Sequence, residues 1–390
     1  MIVYGGDLAA LETTLALREH APERCRVMLV SPVRDLPVRT HATGASPDNG
    51  NGGGTRFDLA TLAAEHGLGF RSDAVVAVDP AVREARTITG ARIRYDVLVV
   101  AFGARPRGAI PGATTCWGPS DTGPLASLID DLRSSGERRV VIAVAEGDRW
   151  TLPTYELALT AARLARYHGL AEAKFTVVTP ESEPAELLGP QASALVARSL
   201  GEEGVELIPA HEPFSFEGGR LLVRPERALE ADLVLSMATV DGPRIGGLPR
   251  DPDGFLPVDH FGRVDGAPGI WAAGEVTSFP VRQPGLGAQQ AHVVAASIAA
   301  HAGAEIVPEP FRPVLAGRLH MSGSPASKAE MNGHGPKAAL LWWPPEQLAG
   351  KHLLAHIGEK LVLEPPGGEE SIPVSVELGS DGRVLATDAA

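Results

Sequence analysis

Two turns in the last third of the chain carry residues suited to holding a flat, polar ligand. The apolar segment 269–273 runs into Gly274 and Glu275, and Gly285 then opens a long alanine-rich segment. Glycine lets a backbone approach a flat ligand closely, and a carboxylate accepts hydrogen bonds from sugar hydroxyls. The amides at the start of the predicted helix form a positive end that favours negative charge on a ring carbonyl. The pattern predicts a cofactor-binding site here.

A related glycine turn stands at the start of the chain. Residues 5–10 (GGDLAA) lie between a short apolar segment, 1–4, and a segment with helical spacing, 8–18. In the dinucleotide-binding pattern G-x-G-x-x-G/A, Gly5 matches the first glycine and Ala10 the last, whereas Asp7 replaces the glycine that approaches the pyrophosphate. A carboxylate about 4 Å from a phosphate charge costs roughly 4 kcal/mol at an effective dielectric near 20. Asp7 is also a typical helix N-cap, so a self-occupied anion site and a shifted pyrophosphate both stay open.

Two further candidates follow the second predicted strand, 26–30. Ser31 stands near the point where an acidic residue usually binds the adenosine ribose, and it can donate one hydrogen bond instead. Arg39 is a candidate contact for a phosphate or a substrate. It precedes a glycine- and asparagine-rich stretch, 46–54, which is typical of a mobile lid or a disordered loop, with disorder favoured.

The remaining segments match a known order. Residues 94–106 (RYDVLVVAFGARP) are similar to a "YDxLVxATGxxP" sequence, and 279–290 (FPVRQPGLGAQQ) to "FPVKQGGLAxQQ". Together with both glycine turns, they resemble the two-dinucleotide-domain flavoproteins of the pyridine nucleotide-disulfide oxidoreductase type. That group includes sulfide:quinone oxidoreductases and type II NADH dehydrogenases. The resemblance covers about residues 1–355.

The resemblance implies an α/β fold with two Rossmann-like FAD/NAD(P)-binding domains, the second inserted in the first. It places an FAD-binding-type domain at 1–110 and 245–305, an NAD(P)-binding-type domain at 111–244 and a C-terminal extension at 306–390. The implied cofactor is FAD. The positions that the resemblance assigns to FAD are Gly5, Gly6, Asp7, Ala10, Ser31, Arg39, Val76, Ala101, Gly103, Arg105, Gly274, Glu275, Gln283, Gly285, Leu286 and Gln289.

The inserted segment departs from NAD(P)-using relatives at its glycine turn. Residues 145–153 (AEGDRWTLP) carry Glu146 and Asp148, which would repel a pyrophosphate, and Trp150, which would fill its space. We therefore expect no NAD(P) in the usual place. The next helix carries Glu156, where the resemblance places a proton-transfer group. An early glutamate also complements the helix dipole, so both roles stay open.

Composition excludes several classes of function. The net charge of −13 and the lack of a basic aromatic patch argue against a nucleic-acid partner. No apolar run reaches 18 residues, so we expect no transmembrane helix, and a start without a signal sequence favours the cytoplasm. Cys25 and Cys116 form neither a C-x-x-C pair nor a metal cluster, and we predict no metal site.

The functional prediction is an FAD-dependent oxidoreductase that passes electrons between a small-molecule substrate and a non-nicotinamide acceptor, with a quinone as one option. The alternative is a degenerate scaffold without FAD that acts as a ligand-binding or partner protein, or as a non-redox enzyme. The pair Trp342 and Trp343 suits a membrane surface or a packed contact. Few basic residues surround it, so packing or homo-oligomer formation is favoured.

Overall fold

The computed structural model describes residues 1–38, 55–117, 123–135, 138–321, 340–343, 350–357 and 370–387. The α-helices in these ranges are α1 (Leu8–His20), α2 (Leu59–Glu65), α3 (Gly123–Ser135), α4 (Leu152–Tyr167), α5 (Pro190–Glu202), α6 (Pro284–His301) and α7 (Lys351–Ile357). The strands are β1 (Ile2–Tyr4), β2 (Met28–Ser31), β3 (Asp35–Val38), β4 (Thr55–Asp58), β5 (Gly69–Ser72), β6 (Val75–Asp79), β7 (Glu84–Thr87), β8 (Arg92–Arg94), β9 (Leu98–Val100), β10 (Arg105–Arg107), β11 (Thr114–Cys116), β12 (Arg139–Ala143), β13 (Lys174–Val178), β14 (Val205–Ile208), β15 (Glu212–Glu217), β16 (Arg220–Arg224), β17 (Arg227–Glu230), β18 (Leu233–Met237), β19 (Thr239–Asp241), β20 (Ile270–Ala272), β21 (Val314–Met321), β22 (Leu340–Trp343), β23 (Glu370–Leu378) and β24 (Val384–Thr387).

The first sheet is parallel and has the strand order β20-β9-β1-β2-β5. Strand β20 comes from the last third of the chain, yet it pairs directly with β9, so distant segments share one sheet. Val3 packs in the core with residues of α1 and α6, whereas Ile2 and Tyr4 pack on the opposite face. Parallel strands that are covered on both faces are apolar throughout, which explains the short runs of valine and leucine.

The second sheet is also parallel, with the order β11-β18-β12-β13-β14. All of its strands lie between β9 and β20 in the chain. The antiparallel pair β10 and β19 joins the segment that leaves the first sheet to the segment that returns. The predicted α/β fold with two parallel, Rossmann-like sheets is therefore confirmed, while the predicted domain limits stay a prediction.

The C-terminal extension packs against both parts. Its antiparallel sheet, β22-β21-β23-β24, contributes Leu315, Trp342 and Val376 to a core that also contains Tyr155 of α4. Leu353 of α7 is buried in the other core with Leu15 of α1. Within the described ranges, no helix combines the length and the apolar character that crossing a bilayer requires.

Gly112, at the start of the second sheet's segment, provides a test of this packing. Its φ is +83°, and a Cβ there would lie 1.9 Å from the carbonyl oxygen of Phe216. We expect Gly112→Ala to lower the free energy of unfolding by about 2 kcal/mol, measured by urea denaturation. Gly201→Ala on α5 is the control, because a Cβ there meets nothing within 4 Å. It should raise stability by up to about 1 kcal/mol, and equal losses in both variants would contradict the packing described.

Candidate functional site

The two glycine turns meet. A Cβ on Gly274 (φ +83°) would lie 2.8 Å from the Cβ of Ala9, and one on Gly287 would lie 3.2 Å from the Cα of Gly274. At the other side of the N-terminal turn, a Cβ on Gly5 would lie 1.8 Å from the carbonyl oxygen of Ala101. These contacts leave no room for side chains, so the starts of α1 and α6 come together at the ends of β1 and β20.

A cavity of about 210 Å³ opens where the two helices begin. Its lining comes from both turns: Asp7, Leu8, Ala9, Leu36, Gly274, Glu275, Thr277, Phe279, Val281, Arg282, Gln283, Pro284, Leu286, Gly287 and Gln290. Sites for drug-sized ligands usually measure about 300–1,000 Å³, so this cavity suits a small ligand or part of a larger one. In open α/β sheets, ligands bind outside the carboxyl ends of the strands, which is where this cavity lies.

Asp7 caps α1 and also lines the cavity. Its Oδ1 accepts a hydrogen bond from the backbone N of Ala10 at 3.2 Å. Burial raises the pKa of Asp7 to about 7; the negative charge of Glu275 adds to the rise, while the Ala10 hydrogen bond opposes it. Burial and the neighbouring acid therefore both favour the uncharged form of Asp7.

Glu275 and Arg282 set the charge at the opposite wall. Burial raises the pKa of Glu275, and the nearby positive charge of Arg282 opposes that rise. The Arg282 guanidinium donates from Nη1 to the carbonyl oxygens of Glu275 at 3.1 Å and Thr277 at 2.6 Å, and it lies 3.8 Å from the ring centroid of Phe255. Burial also lowers the pKa of Arg282. The cavity thus combines two half-buried carboxyl groups with one half-buried cation that its hydrogen bonds hold in place.

The start of α6 is held by amide side chains. Gln283 caps the helix, and its Oε1 accepts from the backbone N of Leu286 at 2.9 Å. Gln290 accepts from the backbone N of Gly274 at 2.8 Å and donates to the hydroxyl of Thr277 at 3.2 Å. The Leu286 amide, which the sequence suggested for a ring carbonyl, is therefore engaged in the helix cap.

Comparison with known proteins identifies a family and several solved structures that this chain resembles. Residues 153–302 match the profile of the family described as "Pyridine nucleotide-disulphide oxidoreductase". Sulfide:quinone oxidoreductase from Aquifex aeolicus has a TM-score of 0.67 at 20% identity, over 81% of this chain and 78% of that one. The ferredoxin reductase for the CYP199A2 system from Rhodopseudomonas palustris has a TM-score of 0.60 at 19% identity, over 83% and 85%. The chain has the fold of the pyridine nucleotide-disulphide oxidoreductase flavoproteins.

Another similar structure is the covalent putidaredoxin reductase–putidaredoxin complex, with a TM-score of 0.56 at 18% identity. It covers 83% of this chain and 84% of that one. No curated protein matches the chain in sequence. The predicted resemblance to this flavoprotein group is confirmed.

Several residues that the sequence resemblance assigned to FAD surround the N-terminal turn. Gly5 packs on Ala101, Ala10 donates to Asp7, and a side chain on Gly103 (φ +78°) would begin 3.3 Å from Asp7 Oδ2. Asp7, Gly274, Glu275, Gln283 and Leu286 line the cavity itself. Their contact with a cofactor stays a prediction.

Other predicted residues are held outside the cavity. Ser31 is fully buried; its Oγ accepts from the backbone N of Val33, and with Leu59 it packs against Gly6. Gln289 binds the backbone of Val314 through both amide atoms, at 2.7 and 3.1 Å. These partners occupy the groups that the sequence assigned to a ligand.

The last predicted positions lie at other places in the fold. Val76 is 39% exposed on β6. Arg105 is exposed on β10, where it stands opposite Asp241 in the strand register. Gly285 is buried inside α6 and does not line the cavity, and neither does Glu156, which is 1% exposed on α4. Arg39 lies outside the described residues.

Side chains beyond strand β13 of the second sheet hydrogen-bond to one another. Glu181, after β13, accepts hydrogen bonds from the Tyr155 hydroxyl at 2.5 Å, the Thr151 hydroxyl at 3.1 Å and the Glu186 amide at 3.0 Å. Trp150 packs edge-to-face on Trp342 of the C-terminal sheet, with ring centroids 5.5 Å apart.

Sequence reasoning missed three parts of these sites. In the match of residues 279–290, Arg282 only takes the place of a lysine, yet in the structure it supplies the cation of the cavity. Leu36 and Leu59 were not considered, although Leu36 lines the cavity and Leu59 packs on Gly6. The Glu181–Tyr155 bond joins residues 26 positions apart on different elements, and no spacing in the sequence pointed to it.

The raised pKa of Asp7 predicts a pH-dependent stability. Because its folded pKa of about 7 exceeds the unfolded value near 3.9, the folded state binds more protons between these values, and stability falls as pH rises from 4 to 7. Asparagine caps helices as well as aspartate does. We expect Asp7→Asn to raise the free energy of unfolding by about 2 kcal/mol at pH 8, with a much smaller gain at pH 5, measured by urea denaturation.

Asp58→Asn is the matched control, because Asp58 caps α2 and accepts from the backbone N and hydroxyl of Thr61. These bonds lower its pKa, so its charged form stabilises the fold at both pH values. The control should therefore lose stability at pH 5 and at pH 8. The same profile in Asp7→Asn would contradict the burial of an acid at the start of α1.

Proposed function

We propose that the chain is an FAD-dependent oxidoreductase that passes electrons between a small molecule and a non-nicotinamide acceptor. The observation that carries this proposal is the convergence of both glycine turns on one cavity, at the carboxyl ends of β1 and β20. The matched family profile and the similar structures support FAD as the cofactor in general. Bound FAD would supply the redox chemistry, while the protein would supply orientation and charge around it.

The residues at the α6 end suit the flavin half of FAD. Glu275 offers a carboxyl group for ribityl hydroxyls, and Gly274 and Gly287 let the backbone come close. Phe279, Val281 and Leu286 provide apolar surface for a flat ring. Because Ser31 and Leu59 close the space beside Gly6, the adenosine half would extend along Leu36 instead.

The N-terminal turn suits a pyrophosphate only when Asp7 is uncharged. A carboxylate there repels phosphate by roughly 4 kcal/mol at an effective dielectric near 20. The neutral acid, favoured by burial, can donate a hydrogen bond to a phosphate oxygen instead. We therefore infer that FAD binds to the protonated form of Asp7.

The electron acceptor is proposed to be a quinone or a protein rather than a nicotinamide. The Aquifex aeolicus protein named above acts on a quinone, and the other two structures are a ferredoxin reductase and a putidaredoxin reductase bound to putidaredoxin. In this chain Glu181, Tyr155 and Thr151 engage one another where NAD(P) would bind. Cys25 and Cys116 lie in different cores, so a paired-thiol relay for sulfide is not part of the proposal.

A scaffold without FAD is the second candidate, and the size of the cavity favours it. At about 210 Å³, with Asp7 inside, the cavity would hold a small polar or cationic molecule. The absorbance spectrum of the purified protein separates the two candidates. Flavin bands, or bands that appear after added FAD is bound and the excess removed, support the oxidoreductase; a protein that stays colourless supports the scaffold.

Asp7 also provides a quantitative test. We expect Asp7→Asn to bind FAD about tenfold more tightly than the wild type at pH 8, because that pH lies about one unit above the pKa of Asp7 and protonating the acid there costs about 1.4 kcal/mol. Affinity of the wild type should fall as pH rises through 7. Asp58→Asn should bind FAD like the wild type. Isothermal titration calorimetry measures all three, and unchanged affinity in Asp7→Asn would contradict the inferred role of the protonated acid.

Because side chains engage one another where NAD(P) would bind, we expect nicotinamides not to reduce the bound flavin. After FAD is bound, NADH and NADPH should fail to bleach the flavin absorbance at millimolar concentration, whereas dithionite should bleach it and a soluble quinone should restore it. Glu181→Gln, which keeps the size of the side chain, should behave the same way. Rapid bleaching by NADH would show that the second domain still binds nicotinamide.

A further inference from the structure

A cluster of potential metal ligands lies on the outer side of the α1–α6 pair. Glu12 of α1, His292 of α6 and His352 of α7 each offer one ligand atom, and these three atoms lie within 4.8 Å of one another. The three residues come from the start, the last third and the C-terminal extension of the chain. No local spacing motif joins them, and the cluster is separate from the cavity lining.

Glu12 is held rigidly in a buried position. Its side chain is 0% exposed, and its two oxygens accept from the backbone N of His352 and of Leu353, each at 2.8 Å. The carboxylate packs directly on the backbone of Gly350, where a Cβ would lie 2.4 Å from Oε2. Buried carboxylates in proteins are paired or coordinate metals, and this one also faces two histidines.

The histidines are arranged as metal ligands usually are. His292 Nε2 contacts Glu12 Oε1, and its side chain is 33% exposed, which leaves a path for an ion and a water. His352 Nδ1 lies 3.1 Å from the carboxylate of Glu19. An outer carboxylate on one ring nitrogen orients a histidine and makes the other nitrogen a better ligand.

We propose that Glu12, His292 and His352 bind a divalent transition metal, with Zn²⁺ as the preferred ion. Two imidazole nitrogens and one carboxylate oxygen form a three-residue set that zinc accepts, with water in the fourth position. Mg²⁺ prefers oxygen ligands and is excluded by the two histidines. The bound ion ties α7 to α1 and α6, the two helices whose first turns line the cavity.

The first test uses the full-length chain after treatment with a chelator. Isothermal titration with ZnCl₂ should give one saturable site per chain, and titration with MgCl₂ should give none. Zinc should also raise the midpoint of thermal unfolding, because a ligand that binds only the folded state stabilises it. Absence of saturable zinc binding by the wild type would overturn the proposal without any variant.

The second test assigns the site. His292→Ala and His352→Ala should each weaken zinc binding at least about tenfold. His66→Ala is the matched control, because His66 forms a neighbouring pair with His356 beside Glu65. Loss of binding in His66→Ala with full binding in His292→Ala would overturn the assignment. Circular dichroism before the titration identifies any variant that has not folded. Glu12→Gln, which retains an oxygen acceptor for α7, is then tested in place of that variant, and it should show the same loss of zinc binding.

Discussion

The close approach of Ala9, Gly274 and Gly287 is the contact on which the candidate site depends. Only residues this small let α1 and α6 begin side by side, since any added Cβ at either glycine would lie within 3.2 Å of its neighbour. Both helices therefore direct their positive ends toward one cavity. Those two dipoles help to offset the burial of Asp7 and Glu275, two acids that would otherwise be costly in the same pocket.

The sequence predicted this arrangement well where backbone rules determine it. Apolar runs marked β1, β9 and β20, and the glycines at 5 and 274 marked the turns that follow two of them. Side-chain partners were harder to foresee, because they depend on tertiary contacts. Ser31 has the right type and position for a ribose contact, but its hydroxyl faces Gly6 and the Val33 amide. Both amide atoms of Gln289 likewise hydrogen-bond to the backbone of Val314, and no sequence spacing indicates that contact.

Polar side chains beside the second parallel sheet hydrogen-bond to one another. Glu181 follows β13, and it accepts from Tyr155 and Thr151 at the start of the neighbouring helix. A half-buried carboxylate needs donors to replace lost water, and these hydroxyl groups supply them. The C-terminal sheet then covers the remaining apolar surface through the contact of Trp342 with Trp150.

Asp7 reconciles two interpretations that appeared to exclude each other in the sequence. As an N-cap it needs one oxygen, Oδ1, to accept from Ala10; Oδ2 faces the backbone of Gly103. A neutral acid can still accept through Oδ1 while the protonated oxygen donates to an anion. Burial favours the uncharged form of Asp7. In the proposed function, the helix cap and the phosphate contact therefore belong to the same residue, and the proton on Asp7 decides whether a phosphate can bind beside it.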